Sequence, residues 1–96
     1  MSQLNDKIFM KDMTDIYAYM DGCNRYTGTI FDKFSMLNDI LKWYFNEPAD
    51  IEAEEGIIYI AEFPDGGMYR KDVEKIIELG FDFDEEWEMI VLYTNK

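Results

Sequence analysis

Histidine is absent from the 96 residues, so the side chain most often used as a general base near neutral pH, and as a metal ligand, is missing. The serines Ser2 and Ser35 fall at the terminus and at the start of an expected helix, with no base to activate them. Cys23 could act as a nucleophile only with a base beside it; nearby Asp21 and Arg25 make a weak arrangement, and it reads as an inert turn thiol. No Gly-x-x-x-x-Gly-Lys phosphate loop occurs, and Asp65-Gly66-Gly67 alone is a common turn. Carboxylates are plentiful in Asp82, Asp84, Glu85, Glu86 and Glu88, and a pair of them in a cleft could hydrolyse a glycoside, but a chain this short hardly forms such a cleft. Nor is the run a calcium loop, because Trp87 stands at its sixth position, where the sharp turn needs glycine. The chemistry available points to no enzyme, cofactor or metal.

What the residue types do offer is charge. Asp and Glu number 21 against nine Lys and Arg, a formal net charge of −12. Binding a phosphate backbone takes clustered cations, and the basic pair here is Arg70-Lys71, so direct contact with nucleic acid or anionic lipid is not expected. A partner with a basic groove is. Duplex DNA carries one negative charge per ~1.7 Å of axis, so this net charge matches roughly 20 Å of duplex, about six base pairs. Aromatic residues make up 17% of the chain, more than a small core easily hides, which places some of them at a binding surface. Trp43, on the side of its helix away from the apolar stripe, is the clearest surface candidate. Trp87 reads equally as the first core residue of the last strand or as a stacking contact rimmed by acids.

The elements that position these residues can be read in order. One domain, 1–96, is expected from the length, with a single modest core. No apolar run approaches the ~20 residues of a membrane span, the start lacks the features of a signal peptide, and a single cysteine suits a reducing compartment; a cytoplasmic protein is expected. Residues 1–14 are ambiguous between a short helix and an edge strand. The β-formers around Ala18 and the turn chemistry of Asp21-Gly22-Cys23-Asn24 predict a hairpin over 15–32. Ser35 as cap and the spacing of Met36, Leu37, Ile40, Leu41, Tyr44 and Phe45 predict a helix over 36–45. Gly56 to Phe63 is the best strand. Val73, Ile76 and Ile77 predict a second helix, ended by Gly80 in a left-handed conformation with Phe81 as its apolar contact. The run from Trp87 to Tyr93 predicts a buried strand. The expected class is α+β, in the order β-β-α-β-α-β, with a mostly antiparallel sheet and both helices on one face.

Ile16-Tyr17-Ala18, the turn residues, and Thr27-Gly28-Thr29-Ile30-Phe31-Asp32 before a helix resemble the opening of ArdA-type antirestriction proteins. Glu54-Glu55-Gly56-Ile57-Ile58 and Ala61-Glu62-Phe63-Pro64-Asp65-Gly66-Gly67 look like that family's acid pair, strand, acidic turn and glycine, so the resemblance covers residues 16–80. It implies an acidic protein shaped like duplex DNA that occupies the DNA channel of a restriction enzyme. The family's proteins are usually elongated dimers of several domains. This chain is shorter, so the resemblance extends to a smaller basic groove, such as that of a CRISPR effector. It carries over Glu54, Glu55, Glu62 and Asp65 as phosphate mimics.

The expected function is therefore non-enzymatic inhibition of a nucleic-acid-binding defence enzyme by DNA mimicry, of the antirestriction or anti-CRISPR type typical of phage, by a monomer or homodimer. Its elements would be Glu47, Asp50, Glu52, Glu54 and Glu55 in one loop and Asp82, Asp84, Glu85, Glu86 and Glu88 in another. The alternative is an immunity protein or small adaptor that docks through Tyr17, Tyr19, Tyr26 and Trp43, with charge serving solubility.

Overall fold

Met13, Ile16, Tyr17 and Met20 recur at i, i+3, i+4 and i+7, and in the computed structural model this stripe is the inward face of a helix, α1 (Met13–Met20). The structure describes residues 6–23, 25–45 and 51–94. The hairpin expected over 15–32 is thus corrected: its first arm is α1 and its last residues open a second helix, α2 (Ile30–Leu41). The β-formers Ile16, Tyr17 and Tyr19 yield because strand preference is worth little beside burial of Met13, Ile16 and Met20 in the core. The ambiguous N-terminal segment holds both kinds of structure, a short strand β1 (Lys7–Ile8) and a 3-10 turn (Met10–Asp12) whose entry is tied by Phe9 N–H donating to Asp12 Oδ2 at 2.9 Å.

Helix α2 starts well before the expected Ser35 cap. Thr29 takes that role, its Oγ1 accepting from Asp32 N–H at 3.2 Å, and Ser35 lies inside the helix. Leu37 and Leu41 are its buried contacts, whereas Met36 stays partly exposed.

The third helix, α3 (Arg70–Glu78), ends as its sequence predicts. Gly80 has φ +102°, its N–H reaches Ile77 O at 3.0 Å, and Phe81 N–H reaches Ile76 O at 3.2 Å, the paired bonds of a Schellman motif. Phe81 is fully buried and meets Phe34 edge-on at 5.4 Å between ring centres. Gly80→Ala is expected to cost about 1–2 kcal/mol through left-handed backbone strain. A thermal unfolding curve should show it as a midpoint lower by about 4–8 °C per kcal/mol; an unchanged midpoint contradicts the motif.

Four strands, β2 (Glu52–Glu54), β3 (Ile57–Glu62), β5 (Asp82–Asp84) and β6 (Met89–Tyr93), form an antiparallel sheet in the order β2-β3-β6-β5. A separate antiparallel pair joins β1 to β4 (Met68–Tyr69). The sequence around Gly56–Phe63 is indeed a central strand, and the last apolar run forms the other, although Trp87 lies in the turn before it. Ile60, Phe83, Ile90 and Leu92 share one core with the buried residues of all three helices. The architecture is α+β with antiparallel sheets, and the observed order is β-α-α-β-β-β-α-β-β.

Candidate partner-binding surface

Strand alternation sends successive side chains to opposite faces, and the registers define what the second face of the large sheet carries. Glu52, Tyr59, Val91 and Asp82 lie in one cross-strand row; Glu54, Ile57 and Tyr93 form the row on one side, and Glu62, Met89 and Asp84 the row on the other. None of these ten residues belongs to the shared core. The centre of this face is Ile57, Tyr59, Met89, Val91 and Tyr93, and its border is five carboxylates, two on each edge strand and Glu62 at the end of β3.

A β-bulge makes this border possible. The register shifts between Tyr59 and Ala61, so Ile60 and Ala61 both turn toward the core and Glu62 returns to the open face. Without the extra residue, Glu62 would have the parity of the buried Ile60 and its carboxylate would point into the core.

Of the expected binding residues, Glu52, Glu54, Glu55, Glu62, Asp65, Glu85, Glu86 and Glu88 are exposed, and Asp84 is half-buried, its Oδ1 accepting from Trp87 N–H at 3.0 Å. Glu55 lies in the β2–β3 turn, Asp65 between β3 and β4, and Glu85, Glu86 and Glu88 in the β5–β6 turn. The two acidic clusters, separate in sequence, thus border one sheet from opposite edges. Glu47 and Asp50 lie outside the described residues.

Asp82 corrects the expectation of an exposed phosphate mimic. It is 8% exposed and faces Arg25 Nη2 at 3.4 Å, while the Tyr17 hydroxyl donates to its Oδ1 at 3.3 Å. The same hydroxyl accepts from Phe83 N–H at 2.8 Å, which satisfies a backbone donor on the free edge of β5. Tyr17 is consequently a structural clip between α1 and the sheet rather than an exposed anchor.

The other aromatic candidates are scattered. Tyr26 is half-buried, and its ring lies so close to the backbone of Gly28 that a Cβ there would collide with it. Tyr19 is exposed but lies 4.6 Å from the Arg70 guanidinium, which also contacts Glu74 at 2.7 Å. Trp43 is 80% exposed just beyond α2, and Trp87 is exposed in the β5–β6 turn.

No family model matches the chain, and neither curated proteins nor solved structures give a significant match.

Tyr59 and Tyr93 were not among the expected site residues. Their signal was in the sequence, since Tyr59 alternates with Ile58 and Ile60, and Tyr93 with Leu92, but which parity faces outward depends on the pairing. Both phenols are held above the ordinary tyrosine pKa, by desolvation first and then by acids: Glu54, Asp84 and Glu86 around Tyr59, and Asp84 and Asp82 around Tyr93. Burial is also the main cause of the upward shift of Tyr17 and Tyr44, the latter hydroxyl donating to Asp72 and accepting from Tyr69 N–H at 3.0 Å.

These shifts fix the sign of an alkaline transition. A phenol that holds its proton more tightly when folded contributes stability that is complete below its unfolded pKa of about 10 and is lost as pH rises through the higher folded value. Absorbance at 295 nm, compared between the parent and single Phe variants, should show Tyr17, Tyr44, Tyr59 and Tyr93 ionising late, above pH 10. Ionisation of these four near pH 10 in a still-folded protein would contradict the assignment.

Among the described residues no group of three or more potential ligands is placed to hold a metal ion, and no helix is long and apolar enough to cross a membrane. An open pocket lined by Met10, Lys11, Thr14, Glu85 and Glu88 presents no nucleophile activated by a base. The surface can accept cations and hydrogen-bond donors, and its centre can pack apolar or planar groups.

Proposed function

We propose that this protein is a non-enzymatic inhibitor that offers carboxylates to the basic nucleic-acid groove of a defence enzyme, a restriction enzyme or CRISPR effector, and so takes the place of the nucleic acid. The observation that carries this reading is the placement of carboxylates along both edges of one open sheet face. Along β2, Glu52 and Glu54 stand ~6.8 Å apart, twice the ~3.4 Å advance per phosphate in one DNA strand. Across the sheet, three strand spacings separate β2, with Glu52 and Glu54, from β5, with Asp84, ~14 Å, comparable to the ~12 Å width of the major groove. The similarity of Glu54, Glu55, Glu62 and Asp65 to positions in ArdA-type proteins supports the same reading. An aromatic docking module of the immunity-protein or adaptor kind has less support, because Tyr17 and Tyr26 are spent on internal packing.

Steering by exposed charge makes association fast and salt-sensitive, since exposed charges are screened beyond ~8 Å at physiological ionic strength. The test is capture of partners from a defence-competent bacterial lysate over a salt ladder, with duplex DNA as competitor. Mimicry requires a basic nucleic-acid enzyme that leaves as salt rises and is displaced by DNA. A partner that persists at high salt and ignores DNA would sink it.

A further inference from the structure

Tyr59 and Tyr93 sit on adjacent strands in diagonal positions, because Tyr59 opposes Val91 and Tyr93 opposes Ile57. Diagonal neighbours in an antiparallel pair lie roughly 7–8 Å apart, their Cβ atoms somewhat closer, a spacing that brings two rings within reach of one planar group. Val91 is fully shielded as the floor between them, and Ile57 and Met89, both half-buried, extend the apolar surface on either side. The acids on both edges lie close enough to act on these phenols. A cation seated over the rings would offset the mutual repulsion of the carboxylates around them.

We propose that this face binds an extended, arginine-rich segment of the partner protein, with guanidinium groups over Tyr59 and Tyr93 and their N–H groups directed to Glu54 and Asp84. Arginine fits better than lysine for two reasons. A planar guanidinium stacks on an aromatic ring and presents a fork of donors that matches a carboxylate, whereas an ammonium is a compact, strongly hydrated charge. Its methylene stem also packs on apolar surface such as Ile57 and Met89. The protein already builds this arrangement once, within itself: Arg70 lies over the Tyr19 ring at 4.6 Å while Glu74 accepts from its Nε at 2.7 Å. The charge of the face excludes an acidic segment, and the same charge opposes a second copy of this chain. The inference rests on the proposed acidic reading of the surface and adds the side chain that the surface selects.

The experiment titrates the full chain with nona-arginine and nona-lysine peptides at equal charge and fixed salt, with binding read by calorimetry and located by NMR shifts of the Tyr59 and Tyr93 rings. Nona-arginine should bind about tenfold more tightly than nona-lysine, the sum of two ring contacts. The Tyr59→Leu/Tyr93→Leu double variant should bring nona-arginine down to the lysine level, while Tyr59→Phe/Tyr93→Phe should keep the preference because the rings remain. Equal binding of the two peptides by the unaltered protein overturns the arginine inference and leaves the acidic reading standing. Binding of neither peptide overturns both. Shifts confined to residues outside the sheet face overturn the location.

Discussion

The triple variant Glu52→Gln/Glu54→Gln/Asp84→Asn should lose at least about 100-fold in affinity for its partner at physiological salt while folding as well as the parent. Three carboxylates in contact with cations, each worth about 1 kcal/mol, account for that loss. Asp84→Asn keeps an oxygen to accept from Trp87 N–H, so the β5–β6 turn is preserved, and lower self-repulsion opposes any fall in stability. The informative control is Asp15→Asn/Asp21→Asn/Asp39→Asn, which neutralises three exposed acids on or beside α1 and α2. Both variants leave a net charge of −9, three units from the −12 of the parent. Equal loss in the two would mean that total charge, not its placement on the sheet, drives binding, and positional mimicry would be wrong. Competitive binding against duplex DNA measures the difference directly.

Tyr17→Phe should be a strongly damaging change of a single oxygen atom, lowering stability by roughly 1–3 kcal/mol. The lost hydroxyl serves two groups, accepting from Phe83 N–H at the free edge of β5 and donating to the nearly buried Asp82. Leaving the Phe83 N–H without its acceptor costs about 1–3 kcal/mol, a large share of the 5–15 kcal/mol that holds a small domain together, while Asp82 keeps Arg25. Arg25→Ala should cost no more than about 1 kcal/mol by comparison, because the guanidinium is 40% exposed and meets Asp82 at 3.4 Å. Urea unfolding of both variants would separate the two contributions. If Tyr17→Phe and Arg25→Ala shift the midpoint equally, the hydroxyl does not hold the strand edge.

The sheet's inner strands and the third helix were legible because their signals are local. A short β-branched run between Gly56 and Pro64 favours a strand in almost any context, and Val73, Ile76, Ile77 and Gly80 encode both the buried face and the end of α3. Helix α1 was misread even though its stripe was present, since Met13, Ile16, Tyr17 and Met20 are also β-formers or neutral residues near good turn chemistry. The Thr29–Asp32 cap was equally readable and marks the start of α2. The short strands β1, β2, β4 and β5 could not be read, as two or three residues carry no period and exist only because a partner strand supplies the hydrogen bonds.

For the candidate surface, composition by itself determined the sign of the field: with 21 acids against nine bases, this chain attracts cations. Tertiary structure alone decided which acids act together. Pairing β3 with β6 brought residues 52–54 and 82–84 to opposite edges of one face, the bulge at Ile60 turned Glu62 outward, and Tyr17 with Arg25 withdrew Asp82 from the solvent. The physical reason is that charge is a property of each residue, whereas the face a strand residue presents depends on register, and a shift of one residue reverses it.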